Sequence, residues 1–350
     1  MTPLARLLAE RIRETGPITV ADYMAECLLH PVHGYYSTRE PFGAAGDFTT
    51  APEISQMFGE LLGLALAQAW LDRGAPAPFT LAELGPGRGT LMADILRATR
   101  GVPGFHAAAR LVLVEASPRL REVQAATLSG HAPNWADRID ELPNGPLFLI
   151  ANEFLDALPI RQFQHGPQGW QERLVGLRDE ALTFGLSAPL SQVPDTPAFR
   201  NAPEGALVED NLPARISVAE VSARIARHGG VAYWIDYGGW RSKGDTLQAL
   251  RRHAPDDPLA HPGEADLTAH VDFEPLAALA PAFAYDEQGA VLARLGIDAR
   301  AERLARSLSG AALESHRAAH HRLTHPSDMG SLFKVLAVTS ASAPPPPGFA

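Results

Sequence analysis

The sequence predicts an α/β fold with a Rossmann-like parallel sheet, and two observations support that prediction. The first is an apolar run, FTLAEL, that leads into a loop with Gly85, Gly87 and Gly89 at alternate positions, followed by a helical pattern. The second is a further apolar run, LVLVE, that ends in the carboxylate of Glu115. Strand, tight loop, helix and second strand in this order are typical of one nucleotide-binding half of such a sheet.

The glycine-rich loop also indicates the kind of cofactor. Glycines tolerate a positive φ and let the backbone approach a ligand, and the following helix offers unpaired N–H groups. A dinucleotide fingerprint requires Gly or Ala three residues after Gly87, where this chain has Thr90. The pattern is instead acid-x-Gly-x-Gly-x-Gly with Glu83 as the acid, which resembles the loop of class I S-adenosylmethionine methyltransferases. We therefore expect Glu83, the three glycines and Glu115 to bind that cofactor, with Glu115 at the ribose hydroxyls.

A simpler interpretation is that the glycines form only a turn and that Glu115 is a solvated strand end. The helical pattern between the two apolar runs favours the cofactor site, because a crossover helix would bring both strand ends to one edge of the sheet.

Composition excludes several classes of function. The chain has 350 residues, enough for about two domains or for one domain with a sizeable insertion. Its net charge of −10 argues against general nucleic-acid binding. The single cysteine, Cys27, excludes an internal disulfide and a cysteine-based metal site, and its apolar neighbours predict a buried thiol. No segment is long and apolar enough to insert into a membrane.

The first 75 residues predict helices and a lid loop. Apolar residues at helical spacing predict two amphipathic helices, Pro3–Thr15 and Val20–Leu29. A Gly- and Pro-punctuated stretch rich in aromatic and hydroxyl side chains then runs to Pro52, which is typical of a functional lid. Asp47 and Glu53 are acids on this lid. Alternatively, Glu53 is the capping-box acid of a helix that begins at Thr50.

The second half of the chain predicts further elements of the same sheet and an insertion. The predicted elements are strands at 146–151 and 229–239, hairpins over 161–188, an irregular segment at 190–213, helices at 217–228 and 271–279, a loop over 240–267, and a late pair of strands at 282–285 and 332–339. The predicted domains are N-terminal helices and lid (1–75), first half of the core (76–160), inserted hairpins and irregular segment (161–215), second half of the core (216–340) and a disordered or extended Pro-rich tail (341–350).

The motif NEFLDALP follows the strand predicted at 146–151, at the edge where open α/β sheets bind ligands. Several N-methyltransferases have an Asn or Asp here that holds the target nitrogen, and Asn152 is similar to it in position. Glu153 and Asp156 add two carboxylates that could grip a guanidinium through paired hydrogen bonds. Alternatively, both acids cap a helix after the strand.

Longer motifs resemble the MidA family, methyltransferase-fold proteins that include the mitochondrial complex I assembly factor. The matching segments are GYY (34–36), GDFTTAPEISQMFGELLG (46–63), ELGPGRGTL (83–91), NEFLDALP (152–159), IDYG (235–238), DLTAHVDF (266–273) and MGSLFKVL (329–336). These segments span nearly the whole chain. One departure is Gly239-Trp240, where the family usually has a His.

The resemblance implies an S-adenosylmethionine-dependent enzyme that dimethylates a protein arginine on the complex I subunit beside the quinone site, or on its bacterial equivalent. Glu153 and Asp156 are the first candidates to free the arginine nitrogen of its proton, and Glu53 and Asp47 are next. Because no transit peptide is recognised, we expect a bacterial, cytoplasmic protein. An assembly chaperone that retains the fold, and a small-molecule methyltransferase, are the alternatives.

Other polar groups leave two interpretations open. Asp236 could reach the active site from its strand end or form a turn, and Tyr35 and Tyr36 could cover a ligand or close a core. The histidines form small groups but no HExxH pattern, so we expect no metal site. These groups are His30 with His33, His320 with His321 and His325, and His270 with Asp266 and Asp272.

Overall fold

A computed structural model of the chain describes residues 1–38 and 50–349. Two compact units, each discontinuous in sequence, make up the fold. The N-terminal unit consists of Met1–Phe48, Leu155–Ile216 and Trp240–Pro275. The Gly-loop unit consists of Thr49–Phe154, Ser217–Gly239 and Leu276–Ala350. The five predicted ranges were continuous segments, whereas each of these units combines three segments.

The helices and strands are as follows. The helices are α1 Pro3–Thr15, α2 Val20–Leu29, α3 Tyr35–Thr38, α4 Ala51–Ile54, α5 Gln56–Asp72, α6 Thr90–Thr99, α7 Phe105–Ala108, α8 Pro118–Thr127, α9 Pro197–Arg200, α10 Leu212–His228, α11 Phe273–Ala277, α12 Gln288–Arg294, α13 Ile297–Ala305, α14 Gly310–Thr324 and α15 Met329–Leu332, with a 3-10 turn at Ile139–Glu141. The strands are β1 Ile18–Thr19, β2 Phe79–Leu84, β3 Ala109–Val114, β4 Asn134–Ala136, β5 Leu147–Asn152, β6 Arg161–Gly166, β7 Gly169–Arg178, β8 Ala181–Leu186, β9 Leu207–Asp210, β10 Gly230–Gly239, β11 Gln248–Arg251, β12 Ala254–Asp256, β13 Asp266–Thr268, β14 Val271–Asp272, β15 Ala282–Glu287 and β16 Phe333–Thr339.

The Gly-loop unit is built on one mixed sheet with the strand order β15-β16-β10-β5-β2-β3-β4. Strands β10, β5, β2, β3 and β4 run parallel, and β16 pairs antiparallel with both β10 and β15. Every residue of β2 and β5 is buried, because helices cover both faces of a parallel sheet. The predicted Rossmann-like α/β fold and the late antiparallel pair are therefore confirmed.

The N-terminal unit combines two predicted helices with antiparallel hairpins. α1 begins at Thr2, whose hydroxyl accepts the Ala5 N–H at 3.1 Å, and α2 begins at a capping box of Thr19 and Asp22. Strands β6, β7 and β8 form successive hairpins, and β1 and β9 extend the same sheet. Both helices, both hairpin turns and the burial of Cys27 agree with the sequence predictions.

Three segments predicted without strands contain them. The loop predicted at 240–267 holds the small sheet β12-β11-β13, the irregular segment 190–213 contains α9 and β9, and the helix predicted at 271–279 is preceded by β14. The turn between β11 and β12 places Arg252 and His253 at φ values of +54° and +60°. Such turns are normally marked by Asn or Gly, so the hairpin gave no recognisable signal.

The proline-rich tail is ordered against the Gly-loop unit, which corrects the prediction of a disordered or extended end. The Tyr233 hydroxyl donates to the Pro347 carbonyl at 3.0 Å, and Arg294 Nε donates to the Gly348 carbonyl at 2.6 Å. Phe349 packs against the core of the unit. Prolines lose little entropy on ordering, and here the carbonyls of Pro347 and Gly348 serve as acceptors.

A helix that crosses a bilayer must be about 20 residues long and predominantly apolar. Among residues 1–38 and 50–349, no helix combines the length and the apolar character needed to cross a membrane.

Candidate active site

The glycine loop joins β2 to α6 in the Gly-loop unit. Gly85, Gly87 and Gly89 have φ values of +59°, +52° and +80°, a region that side chains with a Cβ rarely adopt. The Gly85 N–H donates to the Val114 carbonyl at 3.1 Å, which ties the start of the loop to β3. Gly89 is the N-cap residue of α6. The predicted loop conformation is therefore present.

Position 85 requires a glycine because it has no room for a Cβ atom as well as because its φ is positive. A Cβ atom at this position would lie 2.9 Å from Cδ2 of Phe154, the residue that follows the Asn152-Glu153 pair. Contacts that short do not persist without displacement of a neighbour. The glycine loop and the turn after β5 therefore pack directly on each other.

Glu83 is buried near the carboxyl end of β2, with 3% of its surface exposed. Burial raises the pKa of its carboxyl from 4.5 to about 8, and a hydrogen bond from the Met92 backbone N–H only partly opposes this. Among the described residues its Oε2 atom has no hydrogen-bond partner. At neutral pH this group is therefore mostly protonated and can donate a hydrogen bond.

Glu115 follows β3 and has a fixed carboxylate. Its Oε1 accepts the Ser117 N–H at 2.8 Å, and its Oε2 accepts Nε2 of Gln124 at 3.1 Å. Burial raises the pKa of Glu115, and these hydrogen bonds and the nearby Arg121 act in the opposite direction. Sequence reasoning identified the acid but missed Gln124, which has no motif signal.

Asn152 and Glu153 form the end of β5 and the turn beyond it. Glu153 Oε1 accepts Asn152 Nδ2 at 2.9 Å and the Ala51 N–H at 3.2 Å. Burial raises the pKa of Glu153, and these two hydrogen bonds and the Arg322 charge oppose this rise. Glu153 also has a φ of +52°, a strained conformation for a residue with a side chain.

The structure excludes the alternative role of these acids as helix caps, because residues 153–160 contain no helix. Asp156 belongs to the N-terminal unit, where it is 5% exposed and its carbonyl accepts the Ala269 N–H at 3.0 Å.

Tyr36 is in the same unit and donates from its hydroxyl to Asp266 Oδ1 at 3.0 Å. Tyr35 is fully buried in the core of that unit.

Asp236 holds the turn after β5 from the neighbouring strand. It lies within β10, fully buried, and its Oδ2 accepts the Phe154 N–H at 3.1 Å. Its Oδ1 accepts the N–H of Tyr237 at 2.9 Å. Asp236 therefore stabilises the backbone next to Glu153 rather than forming a turn of its own.

Glu53 lies at the first turn of α4, and its Oε1 accepts the Thr90 hydroxyl at 2.7 Å. Thr50 is the N-cap residue of α4, but its side chain makes no capping hydrogen bond. The capping box suggested by the sequence is therefore absent, and Glu53 instead connects α4 to the first residue of α6. Asp47, the other lid acid, lies outside the described residues.

A metal site in the histidine groups would require several ligand atoms close to one another. Within the described part of the chain, one set of three residues has its ligand atoms within 4.8 Å of one another, the exposed His321, His325 and Asp328. The rings of His30 and His33 stack in the N-terminal unit, and His30 Nδ1 accepts the Val32 and His33 N–H groups. This ring nitrogen is therefore already hydrogen-bonded to the backbone.

The residues at the strand ends fit S-adenosylmethionine, whose amino-acid and ribose groups need both donors and acceptors. Two buried oxygens in the adjacent strands β2 and β5, Glu83 Oε2 and Asn152 Oδ1, have no hydrogen-bond partner among the described residues. Buried polar atoms without partners are rare in proteins, so these two oxygens are candidates to bind a ligand. The glycine loop adds a close backbone approach at the same edge of the sheet.

Comparisons with known proteins agree with this geometry. Residues 61–290 match a family described as "Putative S-adenosyl-L-methionine-dependent methyltransferase". The chain is 38% identical to the protein arginine methyltransferase NDUFAF7 homolog, mitochondrial, of Drosophila melanogaster, over 96% of this chain and 84% of that protein. It is 37% identical to the protein arginine methyltransferase NDUFAF7, mitochondrial, of Homo sapiens, over 97% and 83% of the two chains.

A solved structure extends the comparison to the whole fold. A protein from Burkholderia thailandensis, bound to S-adenosyl-homocysteine, superposes with a TM-score of 0.86 at 30% identity, covering 99% of this chain and 94% of that one. The ligand of that protein is the product that S-adenosylmethionine leaves after methyl transfer.

Proposed function

Because the chain belongs to the MidA family of S-adenosylmethionine-dependent methyltransferases, we propose that it methylates an arginine side chain of a protein. The named relatives are protein arginine methyltransferases. We further propose that the target is the quinone-site subunit of a complex I-type enzyme or its bacterial equivalent, and that two methyl groups are added.

The observation that carries this proposal is the half-buried carboxylate of Glu153, held on a strained backbone beside the glycine loop. Phe154 packs against Gly85, so the turn that holds Glu153 is in direct contact with the proposed cofactor loop. Functional sites often retain strained backbone where a side chain must point at a reacting group. A carboxylate is also the partner with which a guanidinium forms charge-assisted hydrogen bonds.

The residues of the chain have separate roles in this proposal. Bound S-adenosylmethionine would supply the methyl group on its sulfonium. Glu83, the glycine loop and Glu115 would hold the cofactor, and Asn152 Oδ1 would accept a hydrogen bond from cofactor or substrate. Glu153 would grip the guanidinium and accept the proton that its attacking nitrogen must lose, a task for which a raised pKa is an advantage. Asp156, Glu53 and Asp47 remain the other proposed carboxylates.

The test is methyl transfer from radiolabelled S-adenosylmethionine to the recombinant quinone-site subunit, with methylarginines identified by mass spectrometry. We expect Glu153→Gln to lower the rate by about 10²-fold or more, the usual contribution of an acid-base group. Glu122→Gln is the matched control, because Glu122 is exposed on α8, and it should retain the wild-type rate.

Three outcomes would contradict parts of the proposal. Stable complex formation without any methyl incorporation would favour the assembly chaperone. Methyl transfer only to free amines would favour a small-molecule enzyme. Full activity of Glu153→Gln would move the carboxylate clamp to Asp156, or to Glu53 and Asp47.

A further inference from the structure

The amide of Gln124 on α8 joins the two loops that are proposed to bind the cofactor. Its Nε2 donates to the Gly87 carbonyl at 2.8 Å and to Glu115 Oε2 at 3.1 Å. Its Oε1 accepts the Trp135 indole N–H at 2.8 Å. The residue is fully buried, so none of these hydrogen bonds competes with bulk water.

The orientation of this amide is fixed by the chemistry of its neighbours. An indole N–H can only donate, so the atom that faces Trp135 must be the amide oxygen. The Gly87 carbonyl can only accept, so it must meet the amide nitrogen. A side chain with two donors and one acceptor meets all three partners at once, which neither Glu nor Met can do at neutral pH.

This arrangement determines the direction of the loop backbone. The Gly87 carbonyl and the Arg88 N–H belong to one planar peptide group and point in opposite directions. Drawing the carbonyl toward Gln124 therefore turns the Arg88 N–H away from α8. Gln124 also packs under the loop, because its Cα and Cγ lie 3.7 Å from the position of a Cβ on Gly89.

We propose that Gln124 is a positioning residue for S-adenosylmethionine, which sets the glycine loop and the Glu115 carboxylate in their mutual binding geometry. The inference rests on the proposed roles of that loop and of Glu115. It adds a residue that would act on cofactor affinity through its hydrogen bonds to Gly87 and Glu115. Trp135, on β4, serves as the anchor of the amide.

The experiment measures cofactor affinity and stability separately in the full chain. Gln124→Met keeps the length of the side chain and removes all three hydrogen bonds. We expect the Kd for S-adenosylmethionine, from calorimetric titration, to rise about tenfold or more. Trp135→Phe removes only the anchor and should raise the Kd less than Gln124→Met does.

Gln288→Met is the matched control, because Gln288 is also fully buried in the Gly-loop unit and donates from Nε2 to the Leu323 carbonyl at 2.9 Å. It should leave the Kd within about twofold of wild type, and the Tm of each cofactor-free variant measures the loss of stability separately.

The possible results separate this inference from the proposed function. Equal Kd values for Gln124→Met and wild type would overturn the positioning role while leaving the cofactor site intact. Equal increases in Kd for Gln124→Met and Gln288→Met would also overturn it, because the effect would then be general destabilisation. Failure of the wild-type protein to bind S-adenosylmethionine would overturn both proposals.

Discussion

The protonation of Glu83 makes a quantitative prediction about stability. Burial raises the pKa of this carboxyl from 4.5 to about 8, so between these pH values the folded protein retains a proton that the unfolded chain has released. A raised acid pKa therefore makes stability fall as the pH rises through this window. The slope approaches about 1.4 kcal/mol per pH unit. Integrated between pH 6 and pH 8, the loss is about 2 kcal/mol.

Glu83→Gln removes the titrating group and keeps the shape of the side chain. We expect the free energy of unfolding of this variant to change less between pH 6 and pH 8 than that of wild type, by about 2 kcal/mol. Urea denaturation of both cofactor-free proteins at several pH values measures the difference. Other buried acids such as Asp94, whose pKa burial raises to about 6, are present in both proteins and cancel. Parallel pH profiles would refute the reasoning, because they would mean that Glu83 is ionised in the folded state.

Three further predictions concern single residues. Gly85→Ala should weaken S-adenosylmethionine binding and destabilise the fold by more than Gly130→Ala, because both glycines have positive φ but only Gly85 lacks room for a Cβ; Kd and Tm measure this, and equal effects would contradict it. Cys27, whose pKa burial raises to about 12, should react with iodoacetamide at pH 8 only after unfolding, and rapid labelling of the native protein would refute this. Asp236→Asn leaves an acceptor for only one of two backbone N–H groups and should cost about 1–3 kcal/mol in thermal or chemical denaturation; an unchanged Tm would show that the second carboxylate oxygen is dispensable.

The parts of the fold that the sequence predicted are those with a local physical signal. The glycine spacing, the fully apolar strands and the helical spacing of apolar residues in α1 and α2 each act within a few positions of the chain. The small sheet at 248–268 could not be predicted, because its strands are only three or four residues long and its turn uses Arg252 and His253 at positive φ.

In the candidate site, too, the residues with a local sequence signal were predicted and those without one were not. Glu83, Glu115 and Asn152 occupy recognisable strand ends, and the structure places each of them at one edge of the sheet. Gln124 was missed because its role depends on three partners that lie in the glycine loop, just after β3 and on β4. Long-range hydrogen bonds of this kind have no characteristic spacing. The ordered tail was missed for a related reason, since its carbonyls are bound by Tyr233 and Arg294.

The strand order has a consequence for how the protein is synthesised. β16 pairs with β10, whose other edge pairs with β5, so β10 lacks its second neighbour until about 100 further residues have been made. At ~5–20 residues per second the ribosome needs roughly five to twenty seconds for that length. During this time apolar strands with unpaired edges are exposed. Nascent chains should therefore depend on holding chaperones until β16 emerges, even though the cofactor loop is made much earlier.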